Sequence, residues 1–262
     1  PGNHHSGASG GRTDETQGDG VKYLAPKTVE EATTLLAEHP GAKVFAGATD
    51  VIPQLKSGRP EPEALIDLKK IAQATTVSDE GGHWSIGAAT ATAKLTGNAA
   101  LTAEFPGLVE AAGLIGSDQV QRRATLGGNL CNASPAADSV PAMIANGMRA
   151  VIVGPGGTRT VPVEQIPTGP GATSLAAGEF VVSFELDHAP ARTGDAYLRL
   201  IPRTEMDIAV VGAGARITLD DAGNVASATI ALGAVAPTAV RVTAAETALV
   251  GNAIHDQTLA AV

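Results

Sequence analysis

The spacing of apolar residues predicts short strands and helices in the first two thirds of the chain. Residues 21–24 and 43–45 have the pattern of short strands, and the apolar residues between them fall on one face of a helix. Thr28 followed by Glu31 is typical of a capping box, which predicts the start of that helix. The same criteria predict further strands at 64–68, 75–78, 85–87, 150–153 and 159–161, and further helices at 106–114 and 135–144.

The pattern changes after residues 168–178, a segment rich in glycine, alanine and proline. Beyond it, apolar runs and alternations of strand length dominate, and residues 220–224 have the composition of a hairpin turn. This part of the chain favours a meander of strands with helices packed behind it, an α+β layer. Its predicted strands are 180–186, 196–201, 209–219 and 225–232, and its predicted helices are 244–250 and 259–262.

Composition and charge exclude several classes of partner and site for this chain. The chain has 262 residues, a net charge of −9 and no cluster of Lys and Arg, which argues against nucleic acid and anionic membrane surfaces as partners. No apolar run approaches the roughly 20 residues of a membrane span, and we expect a cytoplasmic protein. The single cysteine, Cys131, excludes an internal disulfide and a cysteine-based cluster or zinc site. Residues 1–20, which are glycine-rich and polar, are interpreted as a disordered leader or expression remnant.

Two loops of small residues, 46–50 and 125–129, have the composition of a phosphate-binding site. A diphosphate needs several donors close together, and backbone N–H groups supply them where no side chain blocks the approach. Four small residues meet this steric demand: Gly47, Ala48, Gly127 and Gly128. The side chains of Thr49, Thr125 and Asn129 add neutral donors. Each loop alone is also typical of an ordinary turn, and the next predicted helix begins several residues after the second loop.

Other chemical signatures are incomplete. The run Gly212-Ala213-Gly214 begins like a dinucleotide fingerprint, but Ile217 stands in the place of the last glycine and the run lies in a predicted strand. The sequence contains neither a P-loop nor a Gly-x-Ser-x-Gly elbow, and no two histidines share a helix at metal-ligand spacing. We therefore predict no metal site and no catalytic side chain.

Several residues near the loops have two interpretations on the pattern alone. Asp138 fits a solvated carboxylate in the first turn of a helix as well as a site residue. Cys131 fits a small buried hydrophobe, and Arg199 fits a structural salt bridge at a strand end.

Three stretches carry a resemblance to a known family. Residues 44–50, Val-Phe-Ala-Gly-Ala-Thr-Asp, are similar to the family's Ala-Gly-Gly-Thr-Asp loop. Residues 125–138 agree over a long run, and residues 197–211 contain the motif Arg-Thr-Glu-Met-Asp-Ile-Ala. Over residues 21–262 the chain resembles the FAD-binding medium subunit of molybdenum hydroxylases, the xanthine dehydrogenase and carbon monoxide dehydrogenase family.

The resemblance implies an α+β fold. A two-lobed FAD-binding domain of the vanillyl-alcohol oxidase type is expected at 21–175, with lobes at about 21–79 and 80–175. An α+β C-terminal domain with a small antiparallel sheet is expected at 176–262. FAD would lie extended between the lobes and the C-terminal domain. Members of the family usually continue for a further short helical stretch beyond the position of Val262.

The resemblance also implies the residues that contact FAD. They belong to the two loops, to the segment before the second loop, to the helix after it and to the C-terminal domain. These residues are Lys43, Val44, Phe45, Ala46, Gly47, Ala48, Thr49, Asp50, Ile115, Gly116, Val120, Ala124, Thr125, Gly127, Gly128, Asn129, Asn132, Asp138, Val181 and Arg199.

Two of these positions depart from the family pattern. Ala48 stands where the family often has glycine, so a positive φ there would be strained. Arg199 stands where some relatives have lysine, which keeps the charge but changes reach and geometry.

The function implied by the resemblance is electron transfer. FAD in this chain would receive electrons from two [2Fe–2S] clusters of a small partner subunit and pass them to an external acceptor. A large partner subunit would hold a molybdenum cofactor, and the assembly would be a dimer of heterotrimers. The alternative is a stand-alone FAD-dependent oxidase or reductase with its own substrate pocket, and a scaffold that has lost FAD is a third possibility.

Overall fold

The computed structural model describes residues 20–203 and 206–260. The predicted disordered leader, up to residue 19, lies outside the described residues, as do residues 204, 205, 261 and 262. No helix within the described ranges is long and apolar enough to cross a membrane.

The chain begins with a small parallel sheet. Strands β1 (Lys22–Leu24), β2 (Lys43–Phe45) and β3 (Ala64–Asp67) are arranged in the order β1-β3-β2. Helix α1 (Val29–Glu38) connects β1 to β2, and Thr28 accepts a hydrogen bond from the backbone N–H of Glu31, as predicted. The Glu31 carboxylate accepts from Lys27 N, however, so the reciprocal half of the capping box is displaced by one residue.

A five-stranded sheet forms the centre of the molecule, in the order β4-β5-β10-β6-β7. Every neighbouring pair in it is antiparallel. A separate two-stranded hairpin, β8 with β9, follows β7 along the chain. The strands are β4 (Val77–Asp79), β5 (His83–Gly87), β6 (Arg149–Gly154), β7 (Gly157–Pro162), β8 (Pro167–Gly169), β9 (Ala172–Thr173) and β10 (Phe180–Asp187).

The assignment of residues 180–186 to the C-terminal meander is wrong. This segment is β10, which pairs with β5 on one side and β6 on the other. Phe180 and Val182 belong to the core that contains Ile66 of β3. Phe184 and Leu186 belong to a second core, which contains Leu108 of the helical segment. A central strand buried on both faces reads as a continuous apolar run, and such a run does not reveal which sheet it joins. Strand β4 likewise joins this sheet although it falls within the predicted first lobe.

Short helices fill the space between β3 and β6. The prediction of a helix beginning at Pro106 is confirmed, because α6 has this proline in its first turn. Residues 75–78 are not one strand, since α3 ends at Thr75 before β4 begins. The helices are α2 (Val51–Lys56), α3 (Ala72–Thr75), α4 (Thr92–Thr96), α5 (Ala99–Glu104), α6 (Pro106–Gly113), α7 (Asp118–Gln121), α8 (Leu126–Cys131) and α9 (Ser139–Ala145).

The helix predicted from Pro135 begins later, at Ser139. Pro141 explains the difference, because proline has no N–H and is tolerated only in the first turn of a helix. A helix that began at Pro135 would place Pro141 in its interior. The helix ends at Ala145, where Asn146 is the C-cap and Gly147 has a φ of 65°.

The C-terminal part contains a four-stranded antiparallel meander, β11 (Thr193–Leu200), β12 (Val211–Leu219), β13 (Val225–Gly233) and β14 (Val240–Arg241). Helices α10 (Thr243–Leu249) and α11 (Asp256–Ala260) follow it. A Cβ on Gly214 would lie 2.6 Å from the Pro141 carbonyl carbon, so this glycine lets β12 pack directly on α9. In the run that resembles a dinucleotide fingerprint, Gly214 therefore serves sheet–helix packing, whereas Gly212 leaves room for the Tyr197 side chain, whose Oη would lie 2.5 Å from a Cβ on Gly212.

Candidate functional site

The first predicted loop lies at the carboxyl end of the parallel sheet. Strand β2 ends at Phe45, residues 46–50 turn away from it, and α2 begins at Val51. Ligands of α/β sheets commonly bind in the crevice outside the carboxyl ends of the parallel strands. All of the residues predicted here, from Lys43 to Asp50, line one cavity of about 140 Å³.

The loop is held in one conformation by contact with the segment that leads into the second loop. A Cβ on Gly47 would lie 1.8 Å from the Arg123 carbonyl oxygen, so only glycine fits there. Ala48 has a φ of 65°, in the left-handed region that is strained for a residue with a Cβ. The strain expected from the sequence is therefore present.

The second predicted loop is instead the start of a helix, so that prediction is wrong. Thr125 is the N-cap of α8, and its Oγ1 accepts a hydrogen bond from Gly128 N at 2.9 Å. Leu126 and Leu130, four residues apart, are both buried, and their packing stabilises a helix in spite of two glycines of low helix propensity. The donors predicted for a flexible turn are thus fixed on a short helix.

The glycines of this segment differ in their surroundings. A Cβ on Gly127 would lie 2.5 Å from the Ala88 carbonyl oxygen, which accepts a hydrogen bond from Gly127 N. Gly127 is therefore needed for close backbone packing against the segment after β5. Gly128 lines the smaller cavity and also a second, larger cavity beside it, so its backbone forms part of the wall that the two cavities share.

A larger cavity of about 570 Å³ adjoins the first one. The two share residues of β2 and α8, and the larger one extends to α1, β9 and the segment before β10. Its volume falls within the roughly 300–1,000 Å³ typical of small-molecule sites. The shared residues are Lys43, Val44, Phe45, Ala46, Gly128 and Cys131.

Most predicted site residues line these cavities. Besides residues 43–50, the smaller cavity is lined by Ile115, Ala124, Thr125, Gly128, Asn129 and Asn132, and the larger one by Gly127 and Val181. Gly116 follows Ile115 directly and Val120 lies in α7, and neither residue lines either of the two cavities. They contact each other, because a Cβ on Gly116 would lie 2.7 Å from Val120 Cγ1.

Asp138 and Arg199 form a buried pair away from the cavity walls. Arg199 Nη1 donates to Asp138 Oδ2 at 2.9 Å and to the Leu114 carbonyl at 3.0 Å, and Tyr197 Oη donates to Asp138 Oδ1. Burial raises the pKa of Asp138, while Arg199 and Tyr197 oppose that shift. The salt-bridge interpretation of Arg199 is confirmed, and this pair joins the C-terminal sheet to the residue that precedes Ile115.

Sequence reasoning missed several residues of the site. Gln54 and Arg59 line the smaller cavity, and Gln54 Nε2 donates to Asn132 Oδ1 at 2.8 Å, which ties α2 to α8. Lys43 Nζ lies 3.4 Å from Gln54 Oε1. Lys43 and Arg59 both line this cavity, so two cationic side chains border it. Neither Gln54 nor Arg59 belongs to a motif, and only their closeness in sequence to the first loop could have suggested them.

The residues present fit a diphosphate. Within residues 20–203 and 206–260, no group accepts a hydrogen bond from the backbone N–H of Gly47, Ala48 or Thr49. These three residues line the smaller cavity, so their N–H groups are available to an anionic ligand there. Burial raises the pKa of the Cys131 thiol to about 12, so Cys131 is a neutral part of the wall and not a nucleophile at neutral pH.

Comparison with known proteins defines the class. Residues 17–188 match the family model "FAD binding domain in molybdopterin dehydrogenase", and residues 196–262 match "CO dehydrogenase flavoprotein C-terminal domain". The chain is therefore a flavoprotein-type oxidoreductase subunit with an α+β FAD-binding domain and a C-terminal domain that contains an antiparallel sheet. It belongs to the family of FAD-binding medium subunits of molybdopterin dehydrogenases, the xanthine dehydrogenase and CO dehydrogenase family.

Individual relatives agree with this assignment. The chain is 33% identical to the xanthine dehydrogenase FAD-binding subunit of Escherichia coli O157:H7, over 93% of this chain and 84% of that one. It is 35% identical to the carbon monoxide dehydrogenase medium chain of Hydrogenophaga pseudoflava, over 92% and 83%. A solved carbon monoxide dehydrogenase from Hydrogenophaga pseudoflava superposes with a TM-score of 0.87 and 36% identity, covering 92% of this chain and 84% of that one.

Proposed function

We propose that this chain binds FAD non-covalently and transfers electrons within a molybdenum hydroxylase complex. The observation that carries the proposal is the pair of adjoining cavities, walled by both glycine segments and bordered by backbone N–H groups that have no acceptor among the described residues. The partners would be a large subunit with the molybdenum cofactor and a small subunit with two [2Fe–2S] clusters, as a cytoplasmic dimer of heterotrimers.

Bound FAD would supply the redox chemistry, accepting electrons from the clusters and passing them to an external acceptor. The chain's own residues bind and orient it. Gly47, Ala48 and Thr49 offer N–H donors to the diphosphate, and Lys43 and Arg59 add positive charge at the same cavity.

The remaining predicted contacts belong to the same proposal. Ile115 and Val181 present apolar surface to the cofactor. Asp138 and Arg199 would support the cofactor indirectly, because their buried pair holds the Leu114 carbonyl beside the segment that contains Gly116 and Val120. No side chain of this chain is assigned an acid, base or nucleophilic role.

The test is to isolate the chain with whatever subunits accompany it and to measure flavin, molybdenum and iron. We expect a flavin absorption band, with molybdenum and iron in fixed ratios to the flavin. A Gly47→Ala variant should lose flavin, and a Gly82→Ala variant should keep it, since a Cβ on Gly82 meets nothing within 4 Å.

Two outcomes would contradict the proposal. Reduction of the flavin by an organic substrate in the chain purified without partners would favour the stand-alone oxidase or reductase. The absence of any flavin from the unaltered, partner-bound chain would favour a scaffold that has lost FAD.

A further inference from the structure

A buried charge cluster lies beneath the first loop, outside the predicted site residues. Asp67, the last residue of β3, is only 3% exposed and stands opposite Phe45 in the pairing with β2. Its Oδ1 accepts from Lys69 Nζ at 2.6 Å and from Lys69 N at 2.9 Å, and its Oδ2 accepts from Tyr23 Oη at 2.7 Å. Burial would raise the pKa of Asp67, but the hydrogen bonds from Lys69 and Tyr23 hold it below its ordinary value.

Lys69 also reaches the loop itself. Its Nζ donates to the Ala46 carbonyl oxygen at 2.7 Å and lies 4.5 Å from the centroid of the Phe45 ring. Both Phe45 and Ala46 line the two cavities. One ammonium group therefore joins the buried Asp67 to the residues where the loop begins.

The contact between Lys69 and the Ala46 carbonyl also determines the direction of the next backbone N–H group. A trans peptide unit is planar, so its C=O and the following N–H point in opposite directions. Lys69 holds the Ala46 carbonyl toward the sheet, which turns the Gly47 N–H the other way. On the next unit, Arg123 Nε donates to the Gly47 carbonyl at 3.4 Å and fixes the direction of the Ala48 N–H in the same manner.

The loop needs such restraint because Ala48 has a φ of 65°. A non-glycine residue keeps this conformation only where its surroundings determine it. We propose that Lys69, held by Asp67, is a positioning residue that presents the Gly47 N–H group to the diphosphate of the ligand, beside the Ala48 N–H that Arg123 orients. This inference rests on the proposed function, because it assigns a role within the same cofactor cavity.

The test compares ligands with and without a diphosphate. The full chain, isolated with its partners and stripped of flavin, is titrated with FAD, ADP, adenosine and riboflavin. Lys69→Met should weaken FAD and ADP about tenfold or more, since hydrogen bonds to charged groups have effects of this order. Adenosine and riboflavin, which lack a diphosphate, should bind with less than a roughly twofold change.

The neighbouring lysine provides a matched control. Lys70 is exposed and lies in the same turn, so Lys70→Met should leave all four affinities unchanged. Lys69→Arg, which keeps a charged donor, should recover most of the ADP affinity. If Lys69→Met does not fold, Asp67→Asn, which releases Lys69 but keeps the partner of Tyr23, should show the same selective loss to a smaller degree.

The outcomes separate the inference from the proposed function. Equal affinities of the unaltered chain and the Lys69→Met variant for ADP would overturn the positioning role, as would an equal loss for all four ligands, which indicates general unfolding. Failure of the unaltered chain to bind FAD would overturn the proposed function and this inference with it.

Discussion

At the scale of single residues, Ala48 is the position where local preference and the site conflict most clearly. Its left-handed φ of 65° is costly for alanine, roughly 1–2 kcal/mol. Local conflicts of this kind are expected at functional sites, where the surrounding structure compensates for them. Here the compensation comes from two hydrogen bonds to the preceding carbonyl groups. Lys69 Nζ donates to the Ala46 carbonyl, and Arg123 Nε donates to the Gly47 carbonyl.

Ala48→Gly should stabilise the protein. Glycine removes the left-handed strain but adds chain entropy to the unfolded state, so the net gain in the free energy of unfolding should be at most about 1 kcal/mol. Urea denaturation of the two proteins measures this difference.

The control is the same substitution in an ordinary helix. Ala103 is exposed in α5, and Ala103→Gly should lower the free energy of unfolding by about 0.8–1 kcal/mol. Destabilisation by Ala48→Gly to a similar extent would show that the left-handed conformation carries no strain in solution.

At the scale of elements, the sequence identified the site better than it identified the structure that holds it. The run 125–138 indicated the candidate site because most of its first eight residues line the cavities, yet its two glycines and threonine suggested a loop. Helix α8 forms because Leu126 and Leu130 pack into the core, and that packing depends on residues distant in the sequence. The same limit applies to β10, whose apolar run fits either sheet until its pairing with β5 and β6 is known.

The domain limits at 175 and 176 stay a prediction, although the pairing of β10 favours a boundary between β10 and β11. His188 lies in that connection. Its Nδ1 is 3.0 Å from Glu104 Oε1 and its Nε2 is 3.1 Å from Asp79 Oδ1, so it links the ends of α5 and β4. The hydrogen bond with Glu104, supported by Asp79, raises the pKa of His188 above its ordinary value.

This link should make stability depend on pH. A raised pKa in the folded state contributes stability that is fully present below the unfolded value of about 6.5 and is lost as the pH rises through the folded value. We expect the urea midpoint to fall as the pH rises above about 6.5, and His188→Gln to reduce that fall.

His255 supplies the control for the histidine prediction. It contacts Thr258 near the C-terminal helix and none of the acidic residues around His188, so His255→Gln should keep the pH dependence of the unaltered chain. An undiminished pH dependence in His188→Gln would show that the link contributes nothing to stability.

At the scale of the whole molecule, the cavities lie where separate parts of the chain meet. Leu36 of α1, Gly128 of α8 and Phe180 of β10 all line the larger one, so a ligand there contacts the parallel sheet, the helical segment and the central sheet at once. A ligand that binds only the folded state stabilises it in proportion to the logarithm of its concentration. FAD binding should therefore be coupled to the stability of the entire fold and not only to that of its loops.

Removal of FAD should consequently lower the melting temperature. At a free FAD concentration of about 100 times Kd, linkage contributes about 2.7 kcal/mol, which for a protein of this size corresponds to a shift of roughly 5–10 °C. Calorimetry of the flavin-free chain with and without added FAD measures the shift. Gly82→Ala should show the full shift, whereas Gly47→Ala should show little, because its Cβ cannot be accommodated beside the Arg123 carbonyl. An equal FAD-dependent shift in both variants would place the ligand somewhere other than these cavities.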